Sequence, residues 1–197
     1  MQNPAAPPIV LASTSPYRRG LLDRFLDEFE TVSPDVDERA EDDPDPEALA
    51  TRLARLKAEA VAVSSRDALI IGADQLAVLE GRIIGKPGDH QKAVEQLLAA
   101  AGKTMTFLTA VCMLDPVTKT RYEHVDQTSV RFRKFDRRLA DAYLRHDEPY
   151  DCAGSFKIEG SGFLLFQAVK TDDPTALIGL PMIWVADRLL ALGYLSP

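Results

Sequence analysis

The chain reads as an α/β domain of the mixed α+β kind, because strand-like and helix-like patterns alternate along it and no internal repeat or low-complexity linker interrupts them. Its 197 residues suit one domain, or two small lobes around one cleft, and 1–197 is taken here as a single domain. Hydrophobic residues make up 46% and charged residues 27%, the proportions of a globular protein that can bury a core without disulfides or a structural metal.

Residues 1–8 are proline-rich and predicted to fray. A short apolar strand follows at 9–12, then a helix over 16–26 with Ser15 as N-cap and Pro16 in the first helical position. A second strand is expected at 29–33, followed by an acidic, proline-punctuated loop. In the helix predicted over 46–64, Leu49, Leu53, Leu56, Ala60 and Val63 recur at spacings of three and four and define one apolar face. The strand ALIIGAD leads to a hairpin turning at Glu80-Gly81. A helix over 91–101 stops at Gly102. Strands at 104–114 and 122–133, a helix at 136–145, a strand at 163–169 and a helix at 181–192 complete the reading.

The formal net charge of -7 argues against general nucleic-acid binding, which depends on neutralising many phosphates. A single polyphosphate remains open, provided basic residues gather locally. Cys112 and Cys152 sit in apolar contexts and form no CxxC pair, and His90, His124 and His146 have no zinc-ligand spacing. Two reduced thiols and a reducing, cytoplasmic location are expected. No apolar run approaches a membrane span, and no secretory signal pattern opens the chain.

Four segments carry candidate chemistry. In LASTSPYRR, a strand end delivers hydroxyls and two arginines to a helix start, where free N–H groups and guanidinium forks suit phosphate; the plain alternative is a capped helix with surface arginines. In LIIGADQ, a buried strand ends in a glycine, a small residue and a carboxylate that could hold a divalent metal or orient a water, or simply end the strand. In IGKP, Lys86 is a point charge on a loop stiffened by Pro87; the P-loop pattern is absent. GSFKIEGSG is a glycine-rich loop that could wrap a ligand or form a flexible turn.

Taken in order, LASTSP, VDE, the lysine of ARLKAEA, IGADQ, IGKP, CAGSFKIEG and IGLP resemble the Maf family of nucleotide pyrophosphatases over nearly the whole chain. The resemblance implies a Maf/ITPase-like fold, with an elongated mixed sheet flanked by helices, two lobes around a deep cleft, and a homodimer. It implies hydrolysis of a nucleoside triphosphate to monophosphate and pyrophosphate with a divalent cation (Mg, Mn or Co). The family's catalytic aspartate matches Asp74. Its phosphate-binding elements match Ser13, Ser15, Arg18, Lys57 and Lys86. The acidic residue of VDE matches Glu38, a metal or water ligand alongside Asp74.

Tyr17, Gln75 and Glu159 follow the branch similar to 7-methyl-GTP pyrophosphatases; the dTTP/UTP branch is expected to carry arginine, threonine and glutamine there. The former branch commonly has tryptophan where Tyr17 stands. N7 methylation makes guanine cationic, and an aromatic face beneath it contributes about 0.5–2 kcal/mol. Glu159 accepting from the guanine N–H donors adds roughly 1.5–3 kcal/mol and would disfavour a uracil or thymine edge. The expected partner is thus a small nucleotide, with no nucleic acid and no membrane. The alternatives are a dTTP/UTP-type pyrophosphatase of the same family and a nucleotide-binding regulator of septum formation, which needs a phosphate cradle but no carboxylate pair.

Overall fold

The computed structural model describes residues 2–37 and 43–196. Seven strands form one mixed sheet: β1 (Ile9–Ala12), β2 (Glu30–Val32), β3 (Leu69–Leu79), β4 (Arg82–Ile84), β5 (Thr104–Asp115), β6 (Thr120–Phe132) and β7 (Phe166–Lys170), in the order β2-β1-β3-β5-β6-β7 with β4 on β3. β1 runs parallel to β2 and β3, whereas β3–β4 and β6–β7 are antiparallel. The helices are α1 (Pro16–Leu22), α2 (Pro46–Ala62), α3 (His90–Ala100), α4 (Arg137–Asp147) and α5 (Met182–Ala191). The mixed α/β class read from the sequence is the class observed.

The chain divides into two compact units, and β3, β5 and β6 each begin in one and end in the other. The first comprises 1–74, 109–126 and 173–197. Its core joins Ile9, Leu11, Leu69, Ile71, Val111 and Met113 of the strands to Leu21 and Leu22 of α1 and Val185 and Leu189 of α5. These strand residues alternate, as a sheet with one face toward this cluster requires. The second unit comprises 75–108 and 127–172. Its centre is aromatic: Phe132, Phe156 and Phe166 meet edge-on at ring-centroid distances of 4.7 to 5.8 Å, and Phe107 meets Phe156 at 5.3 Å. Edge-to-face rings gain beyond their buried area, by about 0.5–1.5 kcal/mol a pair.

Several boundaries shift for local reasons. α1 ends at Leu22, not 26, because Arg24 and Phe25 donate backbone bonds three residues back and tighten the last turn. Leu26 still reaches the core. The buried stripe of α2 is Leu49, Ala50, Leu53, Ala54, Lys57, Ala58 and Val61, whereas Val63 is exposed and Leu56 and Ala60 only half-buried. Spacing alone selected the right period but rotated the face, because it assigned the small alanines and the lysine no place in the core. β3 does not stop at Asp74 but continues to Leu79 and turns through Glu80 and Gly81, both with positive φ, into β4. Residues 163–165 form a 3-10 turn rather than the start of β7.

The N-terminal segment predicted to fray is tied down at Gln2 and Asn3. Gln2 accepts from the amides of Asp27 and Glu28 at 2.8 and 2.9 Å and donates to Glu28 O at 2.7 Å, while Asn3 N–H donates to Tyr194 O at 2.9 Å. Among the described residues, no helix is long and apolar enough to cross a membrane.

Candidate active site

The site residues of the first unit are set by the close approach of α2 to β3. Gly72 makes this approach possible: a Cβ there would lie 2.3 Å from Ala54 O and 2.7 Å from Ala58 N, both backbone atoms. Only a glycine lets helix and strand meet so closely. Asp74 lies two residues further along β3, on the same face as Gly72, and Lys57 precedes Ala58 on α2. The result is a buried ion pair, Lys57 Nζ to Asp74 Oδ1 at 2.5 Å, with side chains 8% and 7% exposed. Two charges removed from water persist only when they face each other.

β1 pairs in parallel with β3 as far as Ala12 opposite Gly72, so Ser13 leaves β1 at the end of the pairing where Asp74 follows. Ser13 is buried, and its Oγ accepts from Ser15 N–H at 3.1 Å and from Arg18 Nη1 at 3.4 Å. Ser15 caps α1 by accepting from Arg18 N–H at 3.4 Å, as predicted, although the helix has only seven residues and its dipole is correspondingly small. An anion placed at this turn would meet hydroxyls and a guanidinium more than the helix dipole. Tyr17 is half-buried on the same helix.

Arg18 Nε donates to Gly179 O at 3.0 Å, and Gly179 has φ 137° with the Arg18 stem 3.2 Å from where its Cβ would be. That turn is braced by residues the sequence reading did not single out. Buried Asp173 accepts from Thr175 N–H at 2.8 Å and Ile183 N–H at 2.6 Å, and the Thr109 hydroxyl donates to Ala176 O at 2.9 Å. The IGLP motif (Ile178–Pro181) was the one signal of this turn, and it points to Gly179 without revealing the brace.

In the second unit, Lys86 is exposed beyond β4 and makes no hydrogen bond or ion pair with the described residues, while Gln75 is half-buried in β3. Its turn is fixed at both ends: Gln96 Nε2 donates to Gly85 O at 3.1 Å, and Gly88 N–H donates to Tyr150 O at 3.0 Å. Glu159 is exposed on a loop expected to be a flexible turn, yet the loop is anchored. Lys157 N–H donates to Tyr143 Oη at 2.9 Å, Lys157 Nζ to Asp147 O at 3.1 Å and Ser161 N–H to Asp147 Oδ2 at 2.7 Å. A Cβ at Gly160 would lie 2.5 Å from Asp147 Oδ2, so that carboxylate would have to shift. Burial pushes the Tyr143 phenol far above its ordinary value, so it stays a neutral acceptor here.

Glu38 lies outside the described residues. Among the described residues no cluster of three or more His, Cys, Asp or Glu could cage a metal. Asp74 could offer Oδ2 to a hard cation, since Lys57 takes Oδ1. One or two carboxylates plus phosphate oxygens are the usual donor set for Mg²⁺.

Known proteins provide the context for this arrangement. The profile of a family described as "Maf-like protein" matches residues 8–192. Proteins named 7-methyl-GTP pyrophosphatase are similar over nearly their full lengths: 47% identical in Cupriavidus metallidurans, covering 98% of both chains, and 44% in Nitrosococcus oceani, again covering 98% of both. A third, from Alkalilimnicola ehrlichii, is 48% identical over 95% of this chain and 94% of its own. Among solved structures, the Staphylococcus aureus Ham1 protein aligns with a TM-score of 0.46 at 17% identity, over 78% of this chain and 88% of its own, too distant to carry weight. With its profile matched from residue 8 to 192 and its relatives alike almost end to end, the chain belongs to the Maf family.

Proposed function

We propose that this protein hydrolyses the α–β phosphoanhydride of a nucleoside triphosphate, releasing the monophosphate and pyrophosphate, with 7-methyl-GTP as its preferred substrate. The observation that carries the reading is the buried Lys57–Asp74 pair beside the hydroxyl and guanidinium groups of Ser13, Ser15 and Arg18. A regulator that only held a nucleotide would need the basic groups but not a desolvated carboxylate.

Asp74 orients a water and accepts its proton as it attacks the α phosphorus. Lys57 fixes the orientation of the carboxylate through its hydrogen bond to Oδ1. Arg18, the two serine hydroxyls and Lys86 bind phosphoryl oxygens, and the charge gathering on the leaving pyrophosphate falls to them. A divalent cation (Mg, Mn or Co) would be held by Asp74, together with Glu38 if the family resemblance holds there, and would supply charge neutralisation and lower the pKa of a water. Tyr17 offers an aromatic face to the cationic purine, and Glu159 accepts from its N–H edge; the names of the similar proteins support this preference. The protein works as a cytoplasmic homodimer in this reading, removing modified nucleotides.

Pyrophosphate release from a panel of 7-methyl-GTP, GTP, dTTP and UTP, with each metal in turn, tests the reaction and the base together. Asp74→Asn is expected to lower kcat at least a hundredfold at unchanged fold. Substantial turnover by that variant would remove Asp74 from the chemistry, and tight binding without hydrolysis by the wild type would favour a regulator.

A further inference from the structure

We infer that Gln96 is a positioning residue that couples the Lys86 turn to the Glu159 loop, so that phosphate grip and base selection act as one unit. The inference rests on the reading above of Lys86 as a phosphate contact and Glu159 as a base contact. Gln96 lies half-buried on α3, and its side-chain amide is used at both ends. Nε2 donates to Gly85 O at 3.1 Å, next to Lys86, and Oε1 accepts from Ser155 Oγ at 2.5 Å.

Both ends are places where a bond matters. Ser155 is fully buried and has φ 61°, a left-handed conformation that costs a serine roughly 1 kcal/mol or more and persists only when its surroundings hold it. A buried hydroxyl also needs a partner. Gly154 before it is wedged against Met105 and Phe107, where a Cβ would lie 2.8 and 3.0 Å from the side chains. The backbone is therefore seated on one side by that wedge and on the other by the Gln96 carbonyl oxygen. From Ser155 the chain passes to Phe156 in the aromatic core and then to the loop closed by Gly162 N–H donating to Lys157 O at 3.2 Å, on which Glu159 rides. The Lys86 turn is anchored by Gln96 at Gly85 and by the Tyr150 carbonyl at Gly88, with Pro87 buried between them.

The chemistry selects glutamine at this position. Gly85 O can only accept and, with its hydrogen aimed at Gln96, Ser155 Oγ donates, so the bridge must donate at one end and accept at the other. Glutamate retains the acceptor for Ser155 but sets a carboxylate against Gly85 O. Methionine keeps the length of the stem and loses both polar functions.

The test compares wild type with Gln96→Met and Gln96→Glu in two measurements. One is backbone amide exchange of the substrate-free protein at 85–88 and at 155–162. The other is kcat/KM for 7-methyl-GTP relative to GTP. Gln96→Met is expected to speed exchange in both segments together and to lower the selectivity ratio about tenfold, the effect of losing one or two net hydrogen bonds. Gln96→Glu is expected to speed exchange at 85–88 alone. Unchanged exchange, faster exchange in only one segment of Gln96→Met, or an unaltered selectivity ratio would each overturn the coupling. If the wild type itself releases no pyrophosphate while both segments of Gln96→Met exchange faster, the bridge stands as structure and the enzymatic reading is what fails.

Discussion

Replacing Gly72 by alanine probes the contact on which the first half of the site depends. The added Cβ would sit 2.3 Å from Ala54 O, 2.7 Å from Ala58 N and 2.9 Å from Ala58 Cβ. Ordinary contact needs about 3.5 Å, so α2 and β3 must part by about 1 Å. Two of the three clashing atoms are helix backbone, so no side-chain rotation relieves them. A 1 Å retreat stretches the 2.5 Å Lys57–Asp74 bond to the limit of hydrogen bonding. Overpacking costs about 1–3 kcal/mol, and weakening a buried ion pair adds to it, so a loss of about 3 kcal/mol is expected. For a chain of this length that is a fall in Tm of roughly 6–12 °C. Thermal unfolding and pyrophosphate release should both register the change, with kcat/KM falling more than tenfold in the fraction that remains folded. The control is Gly20→Ala within α1, where nothing lies within 4 Å of the new methyl group. It is expected to stabilise by about 0.5–1 kcal/mol through helix propensity. A Gly72→Ala protein with wild-type Tm and activity would refute the idea that this close approach positions the Lys57–Asp74 pair for the proposed reaction.

Glu159→Gln is expected to erode the preference for 7-methyl-GTP over GTP by about tenfold, because a neutral amide gives up a charge-assisted bond; unchanged selectivity in the panel would place Glu159 outside the base pocket. Burial raises the Cys112 thiol from an ordinary 9.0 to about 12. The unfolded chain therefore releases that proton first, and stability present below about pH 9 is lost as pH rises toward 12, with Tyr143 acting in the same direction. Urea unfolding at pH 8 and pH 10.5 should show the midpoint falling, and Cys112→Ala should flatten the slope. The buried Cys112 should also resist thiol reagents that label the half-buried Cys152.

Most of the fold was legible because its signals are local. Ser15-Pro16, the Glu80-Gly81 turn and the glycine after α3 each set a boundary through backbone chemistry that neighbouring residues decide. What escaped depends on distant partners. Lys57 is matched by resemblance to a phosphate-binding element, but its burial and its pairing stay hidden until Gly72 on another element lets Asp74 meet it. The 3-10 turn before β7 looks like strand because Phe163 and Leu164 are apolar, yet both remain exposed. Gln2 and Asn3 read as tail because their acceptors and donors lie at residues 27, 28, 193 and 194. In the site, motifs identified the residues proposed to meet substrate. They gave no indication of the braces, such as Asp173 under Gly179 or Gln96 under Lys86, since a bracing side chain needs only the right reach and polarity, not a fixed neighbour in sequence.

The bond from Arg18 to Gly179 O joins residues 161 positions apart. A nascent chain still on the ribosome can form β1 and α1 early, but the guanidinium has no backbone acceptor to seat it until the turn before α5 has emerged. Seating of Arg18, a proposed phosphate contact, therefore waits until residue 179 has been translated, and a polypeptide that stops before that turn would lack this bond even with Ser13, Ser15 and Lys86 in place.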